Sequence, residues 1–283
     1  MVNWIYLLRE FLLIKDTITA IIKTFERPCL LLNLISSIEK YYPDLKIIVI
    51  DDSENSLTHK FSNNLSYIHS EFDIGTAKGR NIALDMVETE YFLLLDDDYE
   101  FTRNTKIERM VKCLDHTQFD LVGGIVLDQG YKPSYYGGIF QLKRGEFVLQ
   151  LNKNRGVEQG FPRYDILQNF FLARTNIIKS LRWDDTLRLA DHEDFFIRCK
   201  MAGLKITQDS SVYISHYPER SDRYAMFRNR INFDKRQFYL KHGLNKETVE
   251  LPSRLDIRNV LNKLMYAKYY LENIVIEKIG IFK

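Results

Sequence analysis

Apolar residues in the first hundred positions come in short unbroken runs, and several runs are followed by a stretch with helical spacing. Thr17 to Lys23 (TITAIIK) is apolar and β-branched, which predicts a buried strand. Arg27-Pro28 then opens a helix, with proline at an early position where its missing N–H costs little. Leu31, Leu34, Ile35 and Ile38 share one face of that helix, which stops near Tyr42-Pro43. Lys46 to Ile50 predicts a second strand, Leu65 to His69 a third, Thr76 to Val87 a helix and Tyr91 to Leu95 a fourth strand. Strands alternating with helices imply a doubly wound, largely parallel α/β sheet. Crossover helices cover both faces of such a sheet, so its strands are apolar throughout.

The pattern then changes. Phe119 to Leu127, Tyr136 to Leu142 and Phe147 to Leu151 are strand-like runs separated by turns, which predicts a smaller antiparallel section. Asp191 to Met201 predicts a helix stopped by Gly203. Lys205 to Ser215 reads as two short strands, and Ser221 to His242 as another helix. The tail from Arg254 to Lys283 predicts a helix with an apolar stripe of Leu255, Val260, Leu261, Leu264 and Leu271.

A chain of 283 residues with 45% apolar content has enough material for a packed core. Lys and Arg total 40 against 38 Asp and Glu, a formal charge of +2. That balance gives no general electrostatic case for nucleic acid. The basic excess is local, with Arg220, Arg223, Arg228, Arg230, Lys235, Arg236 and Lys241 in one stretch, and it suggests an anionic partner there. Cys29, Cys113 and Cys199 are scattered and form neither a metal spacing nor a disulfide framework, which fits a reducing compartment. Met1 to Ile14 is apolar but carries Arg9 and Glu10, too short and too charged to span a bilayer. It lacks the features of a signal peptide, so a packing helix on a cytoplasmic protein is expected.

Two of the predicted strands end in acids, Asp51-Asp52 and Asp96-Asp97-Asp98. Ligands of a doubly wound sheet sit beyond the carboxyl ends of its strands. Adjacent carboxylates on a buried strand end repel one another unless a cation or a set of donors compensates. A hard divalent ion that also bridges phosphates answers that need. Alternation puts Asp96 and Asp98 on one side and Asp97 on the other, one side toward metal and the other toward ribose or structure. The alternative is a solvated acidic turn. Asp73 to Asn81 leads into a helix, with Gly75 and Gly79 for tight backbone and Lys78 and Arg80 for phosphate oxygens or a base edge.

Taken together, these pieces resemble the GT-A glycosyltransferases of the large inverting family that includes chitin, cellulose and chondroitin synthases. The likeness is carried by Ile21 to Pro28 (IIKTFERP), Ile47 to Ser53 (IIVIDDS), Ala77 to Asn81 (AKGRN), Tyr91 to Asp98 (YFLLLDDD), Val122-Gly123-Gly124, Asn169 to Arg174 (NFFLAR) and His192 to Phe196 (HEDFF). Within that family it is most similar to the N-acetylgalactosaminyltransferases that build gangliosides. That branch is normally Golgi-anchored, and the expectation for this chain is a bacterial or cytosolic relative.

The resemblance implies a UDP-sugar donor, Mn²⁺ or Mg²⁺, and an oligosaccharide or lipid-linked glycan acceptor. Thr24, Glu26 and Arg27 would line the nucleotide pocket. Asp52, with Asp51 as neighbouring candidate, would hold uracil or ribose, and Lys78 and Arg80 would sit near base or phosphate. Asp96 to Asp98 match the acidic metal motif, with Asp98 in direct contact and Asp96 beside it. Asp194 would be the general base and Glu193 would orient the acceptor, or the reverse, and His192 stands where relatives often have Gly. The alternative for Glu193 and Asp194 is a pair of acids complementing a helix dipole. His216 is either the ligand that completes the coordination sphere or a packed histidine. Gly123-Gly124 is either a close approach for the sugar or a bend.

The expected division is a catalytic domain over 1–245, with a nucleotide-binding part at 17–127 and an acceptor part at 128–245. A boundary near Lys246 to Pro252 would precede a helical tail over 246–283. The amphipathic ends are read as caps on the core, with docking on a membrane or dimer formation as alternatives.

Three rival readings remain. A haloacid-dehalogenase-type phosphatase needs Asp-x-Asp-x-Thr/Val, and the run here is Asp96-Asp97-Asp98-Tyr99-Glu100. A sugar nucleotidyltransferase needs a Gly-rich loop after the first strand, where Thr24 to Pro28 stands. The third is a non-catalytic carbohydrate-binding relative.

Overall fold

The computed structural model describes residues 14–133, 137–188, 190–218, 226–227 and 231–250. The first half contains β1 (Ile18–Thr24), α1 (Pro28–Tyr41), β2 (Lys46–Asp51), β3 (Leu65–His69), α2 (Thr76–Asp85), β4 (Tyr91–Asp96), β5 (Tyr99–Glu100), α3 (Ile107–His116) and β6 (Leu121–Asp128). The second half contains β7 (Lys132–Pro133), β8 (Gly138–Lys143), β9 (Glu146–Leu151), β10 (Val157–Glu158), β11 (Phe161–Tyr164), β12 (Phe171–Arg174), α4 (Thr175–Leu181), α5 (Asp191–Met201), β13 (Ile206–His216), α6 (Ile231–His242) and β14 (Lys246–Glu250).

The main sheet runs β10-β11-β13-β6-β12-β4-β1-β2-β3, with β5 on β13 and β7 on β6. β1 lies parallel between β2 and β4, and β2 continues parallel to β3. β12 is antiparallel to both β4 and β6, and β13 is parallel to β6. β1, β2, β4, β6 and β13 therefore point the same way. Thr24, Asp51, Asp96, Asp128 and His216 all fall at one edge of the sheet.

The pleat divides the core in two. Ile18, Ala20 and Ile22 of β1 face a layer made by α1 and α3, including Leu34, Ile38, Met110 and Leu114. Ile21 faces the opposite layer, where α2, α4 and α5 pack with Phe140, Phe147 and Phe238. This alternation explains why β1 is apolar at successive positions. A second sheet, β8 antiparallel to β9 and β14 parallel to β9, closes that side.

Three expectations need correction. Residues 205–215 are not two strands but one, β13, with a register shift between Gln208 and Tyr213. The shift sits where Asp209 Oδ1 accepts hydrogen bonds from the Ser211 N–H (2.9 Å) and hydroxyl (2.6 Å), a local bulge that bends the strand without ending it. Lys246 to Glu250, expected as the boundary before a helical tail, is strand β14. Its register on β9 starts at the turn before it, where the Asn245 N–H donates to the Gly145 carbonyl (2.6 Å). α3 and α4 fall where the patterns above predict no element, although Ile107, Met110, Val111 and Leu114 stand at helical spacing.

Gly123 and Gly124 are a packing device. A Cβ on Gly124 would lie 2.2 Å from the Phe170 ring, and one on Gly123 2.9 Å from Leu167. The expected N-terminal packing helix (apart from Ile14), the start of the 221–242 helix, the 254–283 tail, and Arg220, Arg223, Arg228 and Arg230 lie outside the described residues. Among the described residues, no helix is long and apolar enough to cross a membrane.

Candidate active site

A cavity of about 340 Å³ opens at the carboxyl edge of the sheet. Its walls include Lys23, Phe25 and Arg27 after β1, Asp73, Gly75, Thr76 and Arg80 around the start of α2, and Asp96 and Asp98 after β4. Asn169, Arg188, Asp191, His192, His216, Phe227 and Asp234 complete it.

The three acids after β4 diverge as strand alternation predicts. Asp97 is fully buried and does not line the cavity. Thr24 donates to it at 2.6 Å and Arg27 pairs with it, so both groups expected in the nucleotide pocket also hold this structural acid. Burial raises the Asp97 carboxyl above its ordinary range, against the pull of Arg27. Asp98 lines the cavity. Its Oδ2 accepts from Arg27 Nη1 at 2.8 Å and stands 3.4 Å from His216 Nε2. Its Oδ1 is buried and has no hydrogen-bond partner among the described residues. Burial opposes the charge on Asp98, but His216 and Arg27 outweigh it and lower its pKa. Asp96 is engaged by Arg80 Nη2 at 2.9 Å and by Asn169 Nδ2 at 3.1 Å.

His216 stands at the end of β13. Its Nδ1 lies 2.7 Å from Asp128 Oδ1, the last residue of the neighbouring β6. Burial disfavours its charge, yet Asp98 and Asp128 together raise it to about 9. A histidine backed by one carboxylate and facing another is the arrangement that orients a metal-ligating imidazole. Among the described residues, no cluster of three or more His, Cys, Asp or Glu forms a complete metal cage. Asp98 and His216 fit instead a hard ion that takes its remaining ligands from water and substrate phosphate, and the unpaired Asp98 Oδ1 supports that fit.

The acids after β2 serve the floor. Asp51 accepts from the Ser53 N–H (2.9 Å) and the Tyr67 hydroxyl (2.6 Å). Asp52 accepts from the Gly75 N–H (3.1 Å) and pairs with Lys23 Nζ (2.5 Å). Burial raises the Asp52 carboxyl despite Lys23. Neither acid lines the cavity, and Asp52 positions Lys23 and Gly75, which do. Gly75, at φ 91°, lets the chain turn into α2 against Arg188, where a Cβ would meet the arginine side chain at 2.9 Å. Glu26 accepts the Glu54 N–H on the outer side of the loop, and Lys78 is exposed on α2; neither lines the cavity.

The Glu193–Asp194 pair, expected as base and acceptor orienter, lies outside the cavity. α5 begins at Asp191, as its pattern predicts, and Asp191 and His192 in its first turn take the positions beside the cavity. Glu193 and Asp194 fall on the side covered by α6. Glu193 faces Lys235 and Glu247, and burial raises its pKa. Asp194 is fully buried, held by Arg198 Nε (2.8 Å), Lys241 Nζ (2.6 Å) and His242 Nε2 (2.8 Å). Burial resists its charge, but His242, Lys241 and Arg198 lower its pKa.

Asn169, Asp191, His192 and Arg188 emerge as cavity residues without an assigned role in the sequence reading. Arg80 ties two of the cavity acids together, donating to Asp191 at 2.7 Å and Asp96 at 2.9 Å. Asn169 stands in NFFLAR and His192 in HEDFF, so the motifs pointed to stretches that reach the cavity but not to these side chains.

Residues 19–180 match the model of glycosyl transferase family 2. The chain is 37% identical over 187 residues to mouse beta-1,4 N-acetylgalactosaminyltransferase 2, covering 65% of this chain and 36% of that protein. It is 30% identical over 262 residues to rat beta-1,4 N-acetylgalactosaminyltransferase 1, covering 84% of this chain and 49% of that protein. The chain thus spans half or less of the length of these relatives. The structure of GalNAc-T7 with UDP, GalNAc and Mn²⁺ superposes with a TM-score of 0.60 at 13% identity, over 93% of this chain and 57% of that one. S. aureus TarS 1–349 gives 0.51 at 17% identity, over 71% and 60%. The shared fold is the GT-A fold, and with the family match covering more than half of its length the chain belongs to glycosyl transferase family 2.

Proposed function

We propose that this chain transfers a sugar from a UDP-sugar to a glycan hydroxyl with inversion, assisted by Mn²⁺ or Mg²⁺ held at Asp98 and His216. The observation that carries the reading is the pairing of these two residues at the cavity wall, with Asp98 Oδ1 buried and unpartnered among the described residues. The family match favours transfer over the phosphatase and nucleotidyltransferase alternatives. N-acetylgalactosamine is the first donor sugar to test, because the curated relatives named above are N-acetylgalactosaminyltransferases.

In this reading Arg27 fixes Asp98, and Asp128 fixes the His216 ring. When bound, the ion supplies positive charge against the leaving diphosphate. Lys23 and Arg188, which line the same cavity, add donors for phosphate oxygens. Asp51 and Asp52 shape the nucleotide floor through Tyr67, Lys23 and Gly75 and do not face the ligand. The acceptor is an oligosaccharide or lipid-linked glycan, and the setting is cytoplasmic capsule or lipo-oligosaccharide assembly.

A donor screen tests the proposal. UDP release is followed from UDP-N-acetylgalactosamine, UDP-galactose and UDP-glucose, with Mn²⁺ and with chelator. Metal-dependent release from one of them supports transfer. UDP binding without release from any donor, glycan acceptors included, would return the non-catalytic reading.

A further inference from the structure

Transfer to a hydroxyl needs a base beside the attacking oxygen. Glu193 and Asp194 are turned toward α6, so the cavity must provide another group. Of the acids that line it, Asp96 and Asp191 are each engaged by Arg80, Asp98 by Arg27 and Asp73 by Arg188, while Asp234 reaches it from α6.

His192 differs from these acids. It lines the cavity from the first turn of α5. Its Nδ1 lies 2.9 Å from Asn169 Oδ1. Asn169 uses its amide N–H to reach Asp96, so its oxygen is the atom turned to the histidine. Nδ1 therefore carries the proton, and Nε2 presents a lone pair. Nε2 is buried and has no hydrogen-bond partner among the described residues. A buried polar atom left without a hydrogen bond is destabilising, and a substrate hydroxyl would supply the missing partner.

Resting on the transfer reading above, we propose that His192 Nε2 takes the proton of the attacking hydroxyl. The acceptor oxygen bonds to the anomeric carbon as the bond from that carbon to the β-phosphate oxygen breaks. The electron pair of the broken bond leaves on UDP. The hydroxyl proton passes to Nε2, and the imidazolium then returns it to solvent, so nothing is oxidised or reduced. Burial keeps the free ring neutral, with its pKa lowered to about 4. Asp191 on α5, Asp96 at the end of β4 and the Leu167 backbone carbonyl favour the charge that develops on it, Arg80 on α2 opposes it, and the Phe196 ring stands 5.2 Å away. Asn169 and Asp96 position the ring.

His192→Gln and His192→Asn test the assignment against wild type. Glutamine can place an amide oxygen near Nε2, and asparagine can replace the Nδ1 hydrogen bond, but neither takes a proton. UDP affinity with Mn²⁺ should stay within about threefold in both, which also reports that each variant folds. UDP release from UDP-N-acetylgalactosamine should fall about 10²–10⁴-fold in both. A glutamine variant that works at the wild-type rate would reduce His192 to a hydrogen-bond acceptor and overturn the proposal. Imidazole ¹⁵N shifts of the wild-type protein give a check that needs no variant. They should show Nδ1 protonated and Nε2 bare at neutral pH, and a proton on Nε2 would overturn the assignment. Wild type that neither binds UDP with Mn²⁺ nor releases UDP removes the transfer reading itself. Wild type that does both while the variants keep its rate removes only His192.

Discussion

Asp97 and Asp98 are neighbours in sequence with opposite fates. One is sealed against Thr24 and Arg27, and the other is turned to the cavity beside His216. Asp128 is the residue that gives His216 its direction. Asp128→Asn should weaken Mn²⁺-dependent UDP binding by roughly 10–100-fold, the usual cost of losing a carboxylate behind a ligating histidine. Calorimetry with and without chelator reads this, and unchanged metal dependence would remove His216 from the site. The pH dependence has a definite sign. His216 keeps its proton up to about pH 9 in the metal-free protein. A metal must displace that proton, so apparent Mn²⁺ affinity should rise with pH up to that point. Its raised pKa stabilises the metal-free fold fully below about pH 6.5, and that stabilisation is lost as pH rises through about 9. His192 is shifted the other way. Its lowered pKa destabilises the fold as pH drops from about 6.5 toward 4, by on the order of 3 kcal/mol. His192→Gln should flatten the stability profile across that window in urea titrations.

At the scale of elements, α6 lies over the side of α5 that bears Glu193 and Asp194. Lys241 and His242 at the end of α6 reach Asp194, so the acid clamps the two helices together. Asp194→Asn should cost about 2–3 kcal/mol, less than a fully buried ion pair because Arg198 and Lys241 remain partly in water. Urea unfolding measures it. A variant of unchanged stability that loses turnover would restore Asp194 as the base. Gly124→Ala should cost about 1–3 kcal/mol, since the added Cβ would meet the Phe170 ring at 2.2 Å. The strands β1, β2 and β4 were legible because burial on both faces forces unbroken apolar runs. β14 was not, because Lys246 to Glu250 is a mostly polar strand that, among the described residues, pairs only with β9. The tilt of the Glu-Asp pair was hidden for a related reason. A helix start could be read from the sequence, but which of its first-turn residues faces the cavity depends on α6, which lies far along the chain.

For the whole molecule, one topological fact gathers the site. β1, β2, β4, β6 and β13 run in the same direction, so their final residues meet at one edge although they span positions 24 to 216. The acidic strand ends and the motif order made that edge and the fold legible from the chain alone, and they pointed to Asp98 and His216, which the fold brings together. The roles of Asp51, Asp52 and Asp97 were not, because a buried acid that supports a wall and one that faces a ligand look alike in sequence. The central claim is a metal-assisted UDP site at Asp98 and His216. Calorimetric titration of UDP into the protein, with Mn²⁺ and again with chelator, tests it most directly. The account predicts binding that needs the ion and an Asp98→Ala variant that loses this dependence. Equal affinity in both conditions, or no binding in either, would contradict it.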